Sequence, residues 1–503
     1  MTNKLPIPLR EKLVAAVGAL TLAFTAWGYG GVIAWSLHTM LAGGLLTIFL
    51  ATIPLSLCKH EQSEPKLKAG IKNRRSCCVP LSRLLRFPGT WFACAFLIYL
   101  AIGALNPAWQ VDPDLKEWRL RPLLPVEPPL WDWLPTSVKS AYEPMNTWRI
   151  FNMHLGAFSL ALGLYVGLTR RKTVLFVLWV FVINASSMAF IAIVQHYGDA
   201  DAVLWTTKSA NRNFWGSFFY RNQAVAYLNW GIVLSGVLYF YHAHRIRDEA
   251  KSGGPHFMAF CLIGLFAVSV GLALSRGGIL FAGILVAAFL LLVAVDYVIA
   301  ASSGRAPLAV IIPMTLTVAL LLAVGLFQAY KSVDWQAVRE RFGDIEATID
   351  NADQDARALS SKQTWKMAQD NLWTGWGAGS FRYVFPIYQK EITELYRYRY
   401  HRKKKEWIGH RFYRYAHNDI LQFLAEYGII GSSLLLLSLL GFVFSGFRFQ
   451  VSALWVLLGT VCAAAHAFLD FIFHSPAYWC ALVGGLALVS RLSVLKRRAE
   501  RVV

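Results

Sequence analysis

The feature that most limits what this chain can fold into is the recurrence of apolar runs about 20 residues long, each able to cross the hydrocarbon of a bilayer as a helix. About twelve are legible, at 13–30, 32–57, 88–105, 149–169, 173–197, 223–241, 256–275, 277–300, 307–330, 417–446, 450–470 and 476–492. A helix satisfies every backbone N–H and C=O within itself, which lipid demands. The expected fold class is therefore all-α, a polytopic membrane protein of about 12 transmembrane helices. Composition agrees, since 56% of the 503 residues are hydrophobic and only 16% charged, too few charges for a water-soluble chain of this length. The first run lacks a small-residue cleavage site and is expected to stay as the first helix.

The basic residues set the orientation, because short cytoplasmic loops retain Lys and Arg. The terminus "MTNKLPIPLREK", the loop 58–87, the turn "RRK" at 170–172, the loop "HAHRIRDEAK" and the tail "LKRRAER" together hold roughly two dozen of them. With an even number of spans these segments share one side, the cytoplasm, and both termini lie there. Most of the net charge of +20 is then a topology signal, and with no recognisable binding module a nucleic-acid partner is not expected. The seven cysteines show no paired spacing that suggests zinc, and disulfides are not expected to matter.

One segment breaks the alternation of spans and short connections: 331–416, between the ninth and tenth helices on the external face. It divides the chain into 1–330 with helices one to nine, 331–416 as an extracytoplasmic loop domain, and 417–503 with helices ten to twelve and a cytoplasmic tail. The stretch "WQAVRERFGDIEATIDNADQDARALSSKQTWKMAQDN" reads as two helices, with Ala358, Trp365 and Ala368 near one face of the second. "WTGWGAGSF" follows as a turn punctuated by three glycines. "YRYRYHRKKKEWIGHRFYRY" then interleaves aromatic and basic residues, a composition suited to a headgroup-touching surface or to drawing in an anionic, lipid-linked substrate.

With this topology the intramembrane polar residues converge at one depth. Arg221 starts the sixth helix from outside, Arg276 lies in the tight turn between helices seven and eight, His417 opens the tenth, and Asp470, with His466 and His474 nearby, closes the eleventh. A charge near the bilayer centre costs on the order of 2.5–3.5 kcal/mol even on a lenient scale, so such groups pair or line a cavity. An anion site at the outer surface is the economical reading. Arg276 and Arg221 could also be interfacial anchors, and Asp470 a structural partner of an arginine. Glu426 lies nine residues beyond His417 and roughly 13 Å deeper, where a structural, hydrogen-bonded role is expected.

"RYAHNDILQFLAEYGIIG", residues 414–431, resembles the His-Asn-x-x-Leu…Glu-x-Gly-x-x-Gly signature of the O-antigen ligase and polymerase superfamily of bacterial membrane glycosyltransferases. "SFFYRNQAVAYL" is similar to the family's Asn-rich helix start, "LALSRGGILFA" to its Ser-Arg-Gly junction, and "TWKMAQDNLWTGWGAGSFRYVFPIY" to its external-loop block. "HAFLDFIFHSPAYW" is similar to a weaker block near the C-terminus. The likeness spans roughly 210–490; the N-terminal part and the insert near 391–412 match nothing in it. The chain departs from the pattern at Tyr220 and Gln223, on either side of Arg221 and Asn222.

The resemblance implies a GT-C-like fold and transfer of a glycan from an undecaprenyl-diphosphate-type lipid to an acceptor sugar hydroxyl, at the periplasmic face of the bacterial inner membrane. It implies His417 as general base and Arg276 and Arg221 as stabilisers of the departing diphosphate. Arg382, Asn222, Asn418 and Asp470 are the expected substrate contacts. The bond energy resides in the donor, and the chain has no P-loop, so no cofactor is expected; no carboxylate cluster at ligand spacing appears, so no metal is expected either. The expected partners are the lipid-linked glycan donor, a glycan or lipid A–core acceptor, and membrane lipids. Transfer to lipid A–core makes a ligase, the favoured form, and transfer to a second lipid-linked repeat makes a polymerase. A secondary transporter or lipid-glycan exporter is the alternative of another class, although it would place ionisable residues near the midplane between repeated halves, and no repeat is seen.

The orientation has a direct test. Alkaline phosphatase fused after Val503 should stay inactive, whereas the enzyme inserted between 376 and 415 should be active. Activity at both sites would overturn the assignment of sides.

Overall fold

The computed structural model describes residues 6–53, 79–111, 120–122, 134–139, 146–209, 213–248, 254–302, 356–401, 406–446 and 451–500. Ten described helices are long and apolar enough to cross a membrane, each on one of the expected spans. They are α2 (Ala34–Thr52), α4 (Pro88–Leu105), α5 (Thr147–Gly167), α6 (Arg171–Tyr197), α7 (Arg221–Asp248), α8 (Pro255–Leu272), α9 (Arg276–Ser302), α13 (Asp419–Gly446), α14 (Val451–Leu469) and α15 (Pro476–Glu500). The first expected span is α1 (Leu9–Trp27), whose first turn carries Arg10, Glu11 and Lys12. The expected span at 307–330, and the first of the two helices expected in the long loop, lie outside the described residues.

The bundle has a buried centre and a surrounding layer. The membrane-length windows of α5, α7 and α15 are 78%, 94% and 83% buried, whereas those of α2, α4, α9, α13 and α14 are 28–33% buried. The outer helices carry their exposed Leu, Ile, Phe and Val as a lipid-facing surface does. In lipid, helices associate through close packing of small residues. At the α2–α5 crossing, a Cβ on Gly44 would stand 2.2 Å from the carbonyl oxygen of Gly156.

Charge is handled locally at the end away from the long loop. The carboxylate of Glu11, buried at the start of α1, accepts from the N–H groups of Thr169 and Arg170 at 2.8 Å each and from the Thr173 hydroxyl at 2.5 Å. It thereby meets the N–H of Arg170, the N-cap residue of α6, one of the donors that a helix start leaves without a partner in the helix.

At the other end a second core forms. Helix α3 (Val79–Arg86), before α4, stays at the Glu11 end, where Arg83 donates to Val166 O; after α4 come strands β1 (Pro107–Val111), β2 (Leu120–Pro122) and β3 (Ser137–Lys139), in the order β2-β1-β3, with β1–β2 antiparallel and β1–β3 parallel. The hairpin β4 (Ala202–Val203) and β5 (Thr207–Lys208) precedes α7. The described part of the long loop contains α10 (Ala356–Asp370), α11 (Phe381–Gln389), α12 (Thr393–Tyr396) and the antiparallel hairpin β6 (Arg397–His401) and β7 (Glu406–His410). Within the basic aromatic insert, 397–401 and 406–410 thus pair as antiparallel strands. Val138 of β3, Met367 and Ala368 of α10, Phe381, Val384 and Phe385 of α11, and Ala425 of α13 share this core. The buried face of α10 is Ser360, Gln363, Thr364, Met367 and Ala368; of the residues expected to share a face only Ala368 is buried, while Ala358 and Trp365 are exposed.

Helix α13 is interrupted. Gly428 has φ 63° and ψ −173° inside it, so the ladder breaks there and backbone groups lose their helical partners. The glycine turn of the loop supplies replacements. Trp376 and Gly377 donate N–H to the carbonyls of Ala425 and Glu426 at 2.9 and 2.8 Å, and Ile429 and Ile430 donate to those of Leu372 and Trp373 at 2.8 and 3.2 Å. The Tyr99 hydroxyl of α4 reaches Thr374 O at 2.5 Å and Tyr427 O at 2.8 Å. Gly375 has φ 69°, and a Cβ there would stand 2.4 Å from Glu426 O; a Cβ on Gly428 would stand 2.3 Å from Trp373 O.

Gly375→Ala or Gly428→Ala combines that collision with a positive-φ backbone, which alone costs an L-residue of order 1–3 kcal/mol. Each should lower the melting temperature of the detergent-purified protein by several degrees. Gly283→Ala in α9, where a Cβ meets nothing within 4 Å, is the control and should leave it unchanged or slightly raised. Equal melting for all three would show that the interlock contributes nothing.

Candidate active site

The site is built where α13 begins. Its cap is Asn418, buried, whose Oδ1 accepts from Leu421 N–H at 3.1 Å, the usual service of an Asn at this position. His417, one residue earlier, has φ 56°, a conformation that non-glycine residues seldom adopt and that clusters at functional sites. Ala416 is tied back into the helix, its N–H donating to Gln422 Oε1 at 2.9 Å. These two anchors fix where the His417 ring leaves the chain. The ring meets the edge of Phe471 at 4.8 Å, and its Nδ1 lies 3.5 Å from Asp470 Oδ1.

Asp470 is the centre of the cluster. It follows the last residue of α14 and is buried; its Oδ1 accepts from Phe471 N–H at 2.9 Å, its Oδ2 accepts from the Asn222 amide of α7, and Arg357 Nη2 of α10 stands 4.0 Å away. Burial raises the proton affinity of this carboxyl, but His417, Arg357 and the Phe471 N–H outweigh it and hold it below the ordinary aspartate range. It is therefore a carboxylate at neutral pH. Burial and the Asp470 charge together push the neighbouring Tyr220 hydroxyl up to about 12, against the pull of Arg357 and Arg221.

Arg221, the first residue of α7, is set by its N–H bond to Asn213 O at 2.8 Å. Arg276 is the first residue of α9, and the glycines after it permit the close approach expected of them. A Cβ on Gly277 would come 3.1 Å from the His466 ring, and one on Gly278 would collide with Val225 of α7. The start of α9 is thus wedged between α7 and α14, beside a histidine one turn before Asp470. Arg382, in α11, lies against the Phe412 ring, 4.7 Å from its centroid.

The structure brings Asn222, His417 and Asp470 into contact, with Arg221 alongside and Arg276 on the adjoining helix start. It gives Asn418 a capping bond and Arg382 a cation–π contact. Sequence reasoning missed Arg357, whose place depends on how α10 lies over the bundle. It also missed Asp419 and Gln422, which with Glu426 form a polar stripe on α13, spaced by three and four residues and so on one face. That spacing in an otherwise apolar run was the available signal. Both oxygens of Glu426 accept loop N–H groups, from Gly379 at 2.9 Å and Phe381 at 3.2 Å, in the hydrogen-bonded role expected of it.

Residues 260–436, from within α8 to within α13, match the model of a family described as O-antigen ligase. No curated protein matches the chain. The matched segment holds Arg276, Arg357, Arg382, His417 and Asn418; the chain adds Arg221, Asn222 and Asp470 from either side of it.

Asn222→Asp places a second carboxylate against Asp470. Two such groups cannot both ionise cheaply, so one takes a raised pKa when folded. The variant is then destabilised above that raised value, by about 1.4 kcal/mol for each tenfold gain in proton affinity, and relieved below it. Its melting temperature should fall short of wild type at pH 8 and approach it at pH 5, whereas Asn222→Leu should show a pH-independent deficit. A pH-independent deficit for both would separate Asn222 from the carboxylate.

Proposed function

We propose, from the match of residues 260–436 to the family described as O-antigen ligase and from the polytopic helical bundle, that the chain is a membrane glycosyltransferase. It moves a glycan from an undecaprenyl-diphosphate-type lipid to an acceptor hydroxyl at the periplasmic face of the bacterial inner membrane. The observation that carries this reading is the cluster of His417, Asp470 and Asn222, drawn from three elements, with Arg357 of α10 and Arg221 of α7 beside it.

The chemistry needs a base and a place for developing negative charge. The acceptor oxygen attacks the anomeric carbon, its proton passes to a neutral imidazole, and the carbon–oxygen bond to the diphosphate breaks with the electron pair leaving on the phosphate. His417 turns Nδ1 to Asp470, which leaves Nε2 for the hydroxyl, and its side chain is 26% exposed, enough to be reached. The carboxylate beside Nδ1 stabilises the imidazolium that forms, as in other base–carboxylate pairs. Arginine is suited to the diphosphate because its guanidinium is always charged and binds phosphate oxygens in pairs. Arg276, Arg221 and Arg357 are assigned that part. A single displacement inverts the anomeric centre. Lipid A–core as acceptor makes the protein an O-antigen ligase, the form adopted here; a second lipid-linked repeat makes it a polymerase.

Proteoliposomes loaded with undecaprenyl-diphosphate-linked glycan extracted from bacterial membranes, and given either acceptor, test the proposal. Transfer should occur, and His417→Ala should reduce it by roughly 10²–10⁴-fold, with Arg276→Ala also strongly impaired. Turnover that survives His417→Ala would remove the base, and glycan movement without any transfer would make the chain a transporter.

A further inference from the structure

The α13 stripe reaches beyond the long loop to the turn that carries Asp470. Gln422 is oriented by the bond that its Oε1 accepts from Ala416, so its amide nitrogen donates to Glu426 Oε1 at 3.0 Å and to His474 Nε2 at 2.9 Å. His474 must therefore hold its proton on Nδ1, where it donates to Asp419 Oδ1 at 2.9 Å. The second oxygen of Asp419, Oδ2, accepts from Phe473 N–H at 2.8 Å. Asp419 thus grips the 470–475 turn at two successive residues, one through the backbone and one through the imidazole. The Tyr415 ring covers His474 at 4.1 Å and Phe471 at 4.6 Å, which clamps the same turn from the His417 side.

His417 and Asp470 come from different elements, and 3.5 Å between them is kept only if the turn stays fixed on the start of α13. We propose that His474, acting through Asp419, is a positioning residue for the transfer reaction: it locks the 470–475 turn on α13 and so keeps Asp470 within reach of His417. His474 touches neither substrate nor reacting atoms in this assignment. The proposal rests on the glycosyltransferase reading for its kinetic consequence but not for its structural one.

Two measurements follow, on the full-length protein in proteoliposomes. His474→Ala should reduce transfer on the order of 10²-fold, the usual cost of a misplacement near 1 Å. His474→Asn, whose amide nitrogen can stand in for Nδ1–H towards Asp419, should restore much of that loss; His474→Gln, which replaces the Nε2 end instead, should not. In an Asp470→Asn background, His474→Ala should cost little more, because the group that it positions is already disabled. A merely structural histidine would cost the same factor in both backgrounds, and that result would overturn the proposal, as would equal rates for the Asn and Ala variants. Hydrogen–deuterium exchange of the peptide spanning 470–476 should rise in His474→Ala and not in His474→Asn; unchanged exchange in the Ala variant would refute the lock irrespective of activity. If His417→Ala keeps turnover while the exchange result holds, the functional reading fails and the positional one stands.

Discussion

The interaction on which the rest depends is the repair of α13 at Gly428. A helix that crosses lipid cannot leave backbone groups unpaired, and the break at Gly428 frees carbonyls on one side and N–H groups on the other. The loop turn 372–377 meets both sets through four backbone bonds. The break is therefore tolerable only while that turn is seated, and the turn has a defined place only because the helix is broken. Each makes the other necessary, so the loop is a structural member of the membrane domain rather than a cover laid over it.

That arrangement also settles how buried charge is carried at this end of the bundle. An isolated carboxylate in a low-dielectric interior is costly unless it is hydrogen-bonded or paired. Glu426 meets two loop N–H groups and the Gln422 amide; Asp419 meets Phe473 N–H and His474; Asp470 meets Phe471 N–H, Asn222 and His417. The donors come from the loop, from the turn after α14, and from α7. Removing any one of these segments strands a carboxylate, which couples the loop, the turn and the candidate base.

Much of this was legible in the residues, and the rest was not for identifiable reasons. Helix positions follow from apolar length, a local property, and ten helices fall on expected spans. The glycines of "WTGWGAGSF" declared a turn and adopt positive φ at Gly375, Gly377 and Gly379. What that turn does was hidden, because its partner is 50 residues away and "EYGIIG" reads as ordinary small-residue packing in a membrane helix. His417, Asn222 and Asp470 could be singled out because polar residues in apolar runs are conspicuous. Arg357 could not, since an arginine on a polar helix has no local anomaly. Its significance comes only from where α10 lies, and for the same reason the stacking of Arg382 on Phe412 has no sequence signature.

The left-handed backbone of His417 gives the cluster its sense. Asn418 must cap α13 and Ala416 must bond Gln422, and a residue confined between two such anchors has little freedom to choose an ordinary conformation. The strain, of order 1–3 kcal/mol for a non-glycine residue in a sparse region, is sustained by those anchors and by the Phe471 contact. Its effect is to aim an imidazole at a buried carboxylate while the side chain stays 26% exposed. A relaxed conformation would release the strain and also withdraw the ring from Asp470. The cap, the Gln422 bond and the turn after α14 therefore act as one frame, and the fold at this end of the bundle is organised around holding a single histidine in a conformation that it would not adopt alone.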